Sequence, residues 1–458
     1  MSMISLERVQ SMIAERELHA LRDALVDSAP VEIAELFAGL SDEERVLIFR
    51  ILPREIAAEI FSELDVDLQR TILSGLGDKQ TARLLDEMAA DDRTALLEEI
   101  PAEAARQLLA LLPKEERDVA LTLLGYPEGS VGRLMSPDFL TIHEDWKVRE
   151  VLDHIRAHGR ESDSLDTLYV VDSKGVLVDE VTVKNLLLAS LDDEVVSLMN
   201  YKFEALPVQS DQEQAVELFK KYDRPTLPVV DSAGVLLGIV TVDDILDVQE
   251  EEVTEDIQKL GGSEALEDAY SRTPIATLIR KRASWLIVLF VGEMLTASAM
   301  AQYEHQIQRA VVLALFIPLI ISSGGNSGSQ ASTLIIRALA VGELRLRDWL
   351  TVFRRELVCG LALGGLLGLV GFLRVVVWAQ FSSSYGEHWF LLACTVFISL
   401  LGVVTIGTLA GSMLPLALKR LNLDPATSSA PFVATLVDVA GLIIYFTIAM
   451  MLLSGSML

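Results

Sequence analysis

From about Trp285 to the end of the chain, apolar runs of nearly bilayer length follow one another, separated by short polar segments. A hydrocarbon layer about 30 Å thick is crossed by about 20 residues of α-helix, and these runs supply that length. This part of the chain therefore cannot be a soluble core. We predict five membrane-spanning helices, at residues 284–303, 310–340, 356–379, 389–416 and 427–453.

Basic residues near the apolar runs predict how the spans are oriented. They fall in residues 280–282, 345–355 and 419–420, whereas the alternate loops, 302–308 and 380–388, contain no Lys or Arg. Because cytoplasmic loops are enriched in Lys and Arg, we expect the N-terminus in the cytoplasm and the C-terminus outside. The polar start of the chain has no basic segment leading into an apolar one, so no signal peptide is predicted.

The 458-residue chain has a net charge of −28, and the acidic excess lies entirely in the first 270 residues. Nucleic acid and anionic lipid are bound through basic patches, so neither is an expected partner of this acidic half. An acidic surface can bind cations, or it can simply keep a domain soluble. The two cysteines, Cys359 and Cys394, lie in apolar runs and indicate neither a disulfide nor a thiolate metal site.

Residues 1–130 are predicted to form an acidic, all-α domain. Apolar residues recur at three- and four-residue spacing, and Pro53, Pro101 and Pro113 stand where helices are expected to begin. A phrase of two acids, an arginine and a later Pro-x-Glu occurs twice in this region. Such repetition of helical pairs indicates a superhelical stack, which is more typical of an interaction module than of an enzyme.

Residues 131–250 change to short β-rich runs that alternate with helices. The phrase strand, turn, strand, helix occurs at residues 168–186 and again at 227–245. This tandem resembles a pair of CBS domains, which fold as βαββα units and pair about a pseudo-twofold axis. The resemblance predicts two α/β units in this part of the chain.

Many CBS pairs bind adenosine nucleotides, with an aspartate of a Ser/Thr-x-x-Asp phrase on the ribose. Thr241 and Asp244 keep that phrase, and the resemblance implies that with Tyr169 they form a site for ATP. The first copy departs from the pattern, because Asn185 stands in place of the aspartate and Asp179 in place of a turn glycine.

Residues 251–283 are predicted to be an acidic linker that leads to the membrane domain at 284–458. An acidic helix over residues 250–260 is ended by the glycines at 261–262, and a basic-ended helix covers 274–282.

The second span is unusually long and contains polar residues. Pro318 and the Ser- and Gly-rich stretch 322–330 are predicted to break its helix. Non-helical backbone at membrane depth is tolerated only inside protein or against water, where its carbonyls can face an ion. We therefore expect a break that lines a pore. The alternative, a polar loop between two short helices, needs a re-entrant topology and conflicts with the loop charges.

Two acids lie inside the predicted spans, Glu293 in the first and Asp438 in the fifth. A charged side chain in lipid is costly, so such residues face a bundle interior or water. The fifth span has no Lys or Arg to neutralise Asp438, and a cation is its natural partner. Glu293 either lines the same path or makes a hydrogen bond between helices.

The acidic helical domain, the CBS pair, the linker and the five spans together resemble the MgtE magnesium channels over essentially the whole chain. The specific phrases lie at residues 324–340, 347–349, 424–426 and 431–438, and Ala430 departs from relatives that carry Asn there. The resemblance implies a homodimer in a bacterial inner membrane, whose second and fifth spans line one central pore for Mg²⁺. The implied pore residues are Asp438, Asn326, Gly325, Gly328, Ala434 and Thr435.

The resemblance also implies that residues 274–282 belong to a plug helix, which closes the cytoplasmic mouth when intracellular Mg²⁺ bridges acidic surfaces. The implied bridging residues are Glu59, Asp91, Asp92, Asp223, Asp243, Asp244, Asp247, Glu251, Glu252, Glu255 and Asp256. Crowded carboxylates repel one another until divalent ions screen them, so metal would favour a compact, closed state.

Three other functions fit these features less well. A channel for Co²⁺, Mn²⁺ or Zn²⁺ would favour softer ligands, and the implied pore contains no Cys or His. A CBS-regulated anion transporter would need basic pore groups, whereas the deepest charges are Glu293 and Asp438. Neither an enzyme nor a protein substrate is expected, because the spans contain no His-Glu-x-x-His, no Gly-x-Ser-x-Gly and no histidine base.

Overall fold

The structure is a computed structural model that describes residues 4–266, 270–271, 273–381, 385–421 and 423–454. They form two compact units, Met1–Glu250 and Glu251–Leu458. The first unit contains a helical part and two small α/β modules, and the second contains long apolar helices. The predicted fold class is therefore confirmed.

Ten helices precede the α/β modules in the described residues. They are α1 (Leu6–Ala14), α2 (Leu18–Val26), α3 (Pro30–Phe37), α4 (Asp42–Ile51), α5 (Arg54–Ser62), α6 (Val66–Gly75), α7 (Asp78–Glu87), α8 (Ala90–Glu99), α9 (Ala102–Leu111) and α10 (Lys114–Leu123). Pro53, Pro101 and Pro113 immediately precede α5, α9 and α10, as predicted, because a missing N–H costs nothing at a helix start. The helices share one core, in which the rings of Phe37 and Phe49 pack edge to face at 5.4 Å.

From the first strand of each onward, the two α/β modules have the same order of elements. The first comprises α11 (Val131–Leu134), β1 (Thr141–Ile142), α12 (Val148–His158), β2 (Thr167–Val171), β3 (Leu177–Thr182) and α13 (Val183–Leu188), and the second comprises β4 (Leu206–Pro207), α14 (Gln212–Tyr222), β5 (Thr226–Val230), β6 (Leu236–Thr241) and α15 (Val242–Leu260). In each, a parallel strand pair is extended by one antiparallel strand. These are the predicted βαββα units.

The modules pair through matching turns. The N–H of Leu177 donates to the carbonyl of Gly234, and the N–H of Leu236 donates to the carbonyl of Gly175, each at 3.0 Å. The two glycines have φ values of +79° and +81°, a conformation that side chains with a Cβ rarely adopt. Two matching hydrogen bonds in opposite directions are what the predicted pseudo-twofold axis requires.

The prediction that Asp179 stands in a turn is wrong, although it does occupy the position that Gly238 holds in the second module. Asp179 lies inside β3, opposite Val170, and is fully buried. Its Oδ2 accepts the backbone N–H groups of Asn200 at 2.7 Å and Tyr201 at 2.9 Å. A buried carboxylate needs such donors, so the aspartate here secures the segment between the modules.

The second unit contains six helices in its described part besides the end of α15. They are α16 (Ile275–Gln302), α17 (Glu304–Arg309), α18 (Ile317–Ala340), α19 (Trp349–Phe381), α20 (Trp389–Arg420) and α21 (Ala430–Leu453). All except α17 are long and apolar enough to cross a membrane, which confirms the five predicted spans. Their outer faces expose large apolar side chains, such as Phe290 and Leu295.

The predicted break of the second span at residues 322–330 is wrong. α18 runs without interruption through this stretch, and Pro318 lies in its first turn, where proline is tolerated. The irregular backbone lies earlier, in a 3-10 turn over Val311–Leu315. There the hydroxyl of Tyr445 donates to the carbonyl of Leu313 at 2.9 Å.

The glycines of α18 serve helix packing. A Cβ built on Gly407 of α20 would lie 2.4 Å from the carbonyl oxygen of Gly324, and one on Gly411 would lie 2.0 Å from that of Gly328. Only glycine lets the two backbones approach so closely, as small residues generally do between membrane helices. The stretch therefore stays helical and supplies a contact surface.

The two predicted linker helices exist but are not separate elements. The acidic residues 250–260 form the second half of α15, and residues 275–282 form the first turns of α16. The N–H of Gly261 bonds to the carbonyl of Ile257 at 3.1 Å, and Gly262 has a φ of +76°. The predicted glycine end of the acidic helix is thereby confirmed.

Candidate functional site

The second and fifth spans bring Asp438 against the glycine-rich face of α18. Asp438 is half-buried on α21, and a Cβ built on Gly325 would lie 3.8 Å from its Oδ1. The same Cβ would lie 3.4 Å from the Cβ of Ala434, so the two helices are in van der Waals contact at this level. Gly325, Ala434 and Asp438 therefore come together as their phrases imply.

The other implied pore residues have different surroundings. Asn326 is exposed beside Gly325, with its Nδ2 3.5 Å from the Oγ of Ser322. Gly328 is buried against α20, and Thr435 donates a hydrogen bond of 3.0 Å to the carbonyl of Pro431.

Serines of α18 fix its position along α21. The Oγ of Ser329 donates to the carbonyl of Ala430, and the Oγ of Ser332 donates to that of Ser428, both at 3.0 Å. These hydrogen bonds to carbonyls at and just before the start of α21 fix the position of α21 along α18, and therefore the position of Asp438.

Glu293 of α16 reaches the same carboxylate. Its carboxyl group lies close enough to that of Asp438 for the two acids to interact electrostatically. α16 approaches α21 closely here, because a Cβ built on Gly292 would lie 2.6 Å from the Cγ2 of Thr435. Nearer the N-terminal ends of α16 and α21, the indole N–H of Trp285 donates to the Oγ of Ser429 at 3.1 Å.

This arrangement suits a hard cation. Two acidic side chains with no basic partner between them are held together by a proton or a cation. The neighbouring groups offer oxygen atoms, which are the ligands that Mg²⁺ prefers. Acids inside membrane spans commonly mark the path of an ion.

In the first unit, seven carboxylates from separate elements form what we call the acidic cluster. Its members are Glu63, Asp91, Asp92, Asp163, Asp243, Asp244 and Asp247. They come from the end of α5, the first turn of α8, the loop before β2, and the first turns of α15. Every charged neighbour that shifts the pKa of Glu63, Asp91, Asp92, Asp163, Asp244 or Asp247 is another acid.

Burial and mutual repulsion disfavour the ionised forms in the cluster. Burial, then the carboxylates of Asp244 and Asp92, hold the pKa of Asp91 well above its usual range. Burial, with Asp243 and Asp92 nearby, raises the pKa of Asp244 to about 7, although hydrogen bonds from Thr241 act in the other direction. Divalent cations or protons would relieve this excess of negative charge.

The cluster only partly matches the bridging residues that were predicted. Asp91, Asp92, Asp243, Asp244 and Asp247 come together, and Glu63 and Asp163 join them although they were not predicted. Glu59 is exposed on α5, about one turn before Glu63. Asp223 lies apart from these groups, at the left-handed end of α14. Glu251, Glu252, Glu255 and Asp256 lie on the second half of α15, in the other unit.

The end of α15 forms a mixed cluster with the segment before α21. Lys259 bonds to Glu255, and its Nζ lies 2.8 Å from Oδ2 of Asp424. Burial alone would lower the pKa of Lys259, but the bonds to Asp424 and Glu255 raise it. Burial and the charge of Asp424 raise the pKa of Asp256. Lys259 therefore links this helix end to the loop between the last two spans.

The residues predicted for ATP are engaged with other groups. Tyr169 is buried, and its hydroxyl donates to the Oγ1 of Thr226 at 3.0 Å. The hydroxyl of Thr241 donates to Oδ2 of Asp244 at 2.5 Å. Asp244 belongs to the acidic cluster as well, so a nucleotide and a cation would share this carboxylate.

The described residues contain no group of three or more His, Cys, Asp or Glu side chains arranged to hold a metal ion. Both cysteines are free.

Comparison with known families accounts for most of the chain. A family model described as MgtE, divalent cation transporter, matches residues 317–448. The model of the MgtE intracellular N domain matches residues 28–129, and the CBS domain model matches 131–192 and 194–251.

Relatives and solved structures agree with these matches. The magnesium transporter MgtE of Thermus thermophilus is 37% identical over 450 residues, which are 98% of each chain. That of Bacillus subtilis is 28% identical over 442 residues, which are 96% of each chain.

A crystal structure of the cytosolic domain of the Mg²⁺ channel MgtE in complex with ATP has 32% identity and a TM-score of 0.51, and covers 53% of this chain and 100% of that one. The soluble part of a magnesium transporter has 24% identity and a TM-score of 0.52, covers 54% of this chain and 97% of that one, and shows the fold alone. This chain belongs to the MgtE family of divalent cation transporters.

Proposed function

We propose that this chain is a Mg²⁺-selective channel for magnesium uptake, which closes when cytoplasmic Mg²⁺ binds its acidic unit. The observation that carries the proposal is the position of Asp438, half-buried on α21 beside Gly325 of α18 and near Glu293 of α16. The names of the Thermus thermophilus and Bacillus subtilis relatives support Mg²⁺ as the ion.

The pore forms in a homodimer, where α18 and α21 of two subunits face one central axis. Mg²⁺ gives up its water reluctantly, so a carboxylate that binds the hydrated ion can select it without stripping it. Asp438 of each subunit supplies that carboxylate. Asn326 and the backbone around Gly325, Gly328, Ala434 and Thr435 contact the ion's water.

The gate uses the acidic cluster and the first turns of α16. The seven carboxylates of the acidic cluster carry like charges at close range, so they repel one another until a divalent cation binds. Mg²⁺ therefore favours the compact state of this unit, and in that state residues 274–282 close the cytoplasmic mouth.

We assign residues 1–130 to the helical domain, 131–250 to the CBS pair, 251–283 to the linker and plug, and 284–458 to the pore domain. The N-terminus lies in the cytoplasm of a bacterial cell and the C-terminus outside the inner membrane. Transport, not catalysis, is the activity. ATP binds the CBS pair at Thr241 and Asp244, as supported by the likeness to a cytosolic domain crystallised with ATP.

The test is Mg²⁺ entry into liposomes that contain a Mg²⁺-sensitive dye and the full chain. Asp438→Asn keeps the shape of the side chain and removes its charge, so we expect flux to fall by at least about tenfold, equivalent to about 1.4 kcal/mol. Glu293→Gln should reduce flux less, because Asp438 remains. Glu304→Gln, at an exposed acid of the short α17, should leave flux unchanged.

Unchanged flux in Asp438→Asn would show that Asp438 does not bind the ion in the pore, and Glu293 would become the candidate for that role. Faster entry of Co²⁺ than of Mg²⁺ would favour another divalent cation as the substrate. Transport of anions that survives Asp438→Lys would favour the anion transporter.

A further inference from the structure

Three of the six histidines gather with a tryptophan on the first CBS module. His143 follows β1, and His154 and His158 lie one turn apart on α12. The ring centroids are 5.3 Å apart between His143 and Trp146, 5.2 Å between Trp146 and His154, and 4.7 Å between His154 and His158. The proposed channel function makes no use of this group.

His154 and His158 have the spacing of a two-histidine metal site. Residues four apart in a helix lie on one face, and two histidines so placed can bind one ion. Rings that each bond a metal at about 2.1 Å must lie side by side, as these do. His158 is exposed and His154 is half-buried, so an ion can reach both from solvent.

The hydrogen bonds leave the outer ring nitrogen of His158 ready for a metal. Its Nδ1 lies 3.3 Å from the backbone carbonyl oxygen of His154. A carbonyl only accepts, so Nδ1 carries the proton and Nε2 presents its lone pair. Metal-binding histidines commonly donate their second N–H to a backbone carbonyl in this way.

His143 shows the same pattern, with Nδ1 3.1 Å from the carbonyl oxygen of Val171. The rings of His143 and His154 both pack against Trp146, which holds His154 in place.

We propose that His154 and His158 form a binding site for a divalent transition-metal ion, such as Zn²⁺, Co²⁺ or Ni²⁺, on the first CBS module. Water completes the coordination. Imidazole suits these ions, whereas Mg²⁺ takes oxygen ligands. The module thereby distinguishes a transition-metal ion from Mg²⁺, which carboxylates alone do poorly. The site is independent of which ion the pore carries.

The test is Zn²⁺ binding to the tag-free full chain in detergent, measured by calorimetry with Mg²⁺ in large excess to occupy carboxylate sites. We expect a Zn²⁺ site that the double variant His154→Gln, His158→Gln loses, and that each single variant weakens by at least about tenfold. His19→Gln, at an exposed histidine of α2, should bind Zn²⁺ as the wild type does.

Unfolding temperatures and Mg²⁺ flux measured on the same variants show whether they are folded, and the exposed single change His158→Gln serves if the double variant is not. Two results would overturn the proposal: no Zn²⁺ binding by the wild type under excess Mg²⁺, or binding that is unchanged in the folded double variant.

Discussion

The two acidic regions of the molecule work in opposite surroundings. In the first unit, seven carboxylates from separate elements gather, and burial together with neighbouring acids raises the pKa of several of them, Asp91 and Asp244 among them. In the second unit, Asp438 and Glu293 stand among apolar helices, held by close glycine contacts. Cation binding should depend on the number of clustered charges in the first region and on one carboxylate, Asp438, in the second. Substitutions should therefore act gradually in the cluster and sharply between the spans.

The largest effect is expected at the glycine contact that holds the spans. Gly411→Ala places a Cβ about 2.0 Å from the carbonyl oxygen of Gly328, and neither backbone can move aside. We expect this overpacking to cost about 3 kcal/mol, seen as a lower unfolding temperature of the full chain in detergent.

The matched control is Gly365→Ala, whose added Cβ meets its nearest neighbour, Leu401 Cδ1, only at 4.0 Å. Equal stability of the two variants would show that α18 and α20 are not locked by this contact.

A smaller effect is expected from pH in the acidic cluster. The pKa of Asp244 rises from about 4 in the unfolded chain to about 7 in the folded one, so the unfolded state binds fewer protons between these values. Without divalent cations, the contribution of Asp244 to stability should therefore be greatest below about pH 4 and fall as pH rises to about 7. Asp244→Asn should flatten this fall and raise the unfolding temperature at pH 7 by about 2–4 °C, or on the order of 1 kcal/mol.

Mg²⁺ should stabilise the wild type at pH 7 more than it stabilises Asp244→Asn, because the variant lacks a ligand. Asp192→Asn, at an exposed acid paired with Arg149, is the control and should leave the pH profile as it is. A wild-type profile that falls no more steeply between pH 4 and pH 7 than that of Asp244→Asn would contradict the repulsion assigned to the cluster.

The smallest effect is expected at the link between α15 and the last loop. Lys259→Ala removes a partly exposed ion pair with Asp424, worth at most about 1 kcal/mol. We expect faster hydrogen exchange over the last turn of α15 and over residues 423–427. Arg149→Ala, which removes the more exposed pair with Asp192, should change nothing beyond its own surroundings.

The same contrast explains what the sequence could predict. Asp438 can be identified from the sequence because a charged residue inside an apolar span is rare. Recognising it does not require knowing which residues contact it in the fold. In the acidic half, acids are so frequent that spacing cannot say which of them meet. Glu63 and Asp163 join the cluster through tertiary packing of α5 and the loop before β2, which no local pattern records.

Two features of the fold were misread for a related reason. The Ser and Gly residues at 322–330 resemble a helix break, because glycine usually weakens helices in water. Between spans the same residues allow α18, α20 and α21 to touch, and the helix continues. Asp179 looks like a turn residue until its buried hydrogen bonds to the segment at 200–201 are known.

The most direct test of the separation between pore and gate is flux into liposomes as a function of Mg²⁺ on the cytoplasmic face. In one experiment it compares wild type, Asp438→Asn and the double variant Asp91→Asn, Asp244→Asn. We predict that wild-type flux falls as cytoplasmic Mg²⁺ rises, whereas the flux of the double variant stays high over the same range. We predict that Asp438→Asn has little flux at any Mg²⁺ concentration. A double variant that closes at the wild-type concentration, or an Asp438→Asn channel that conducts and closes normally, would contradict the assignment of the two regions.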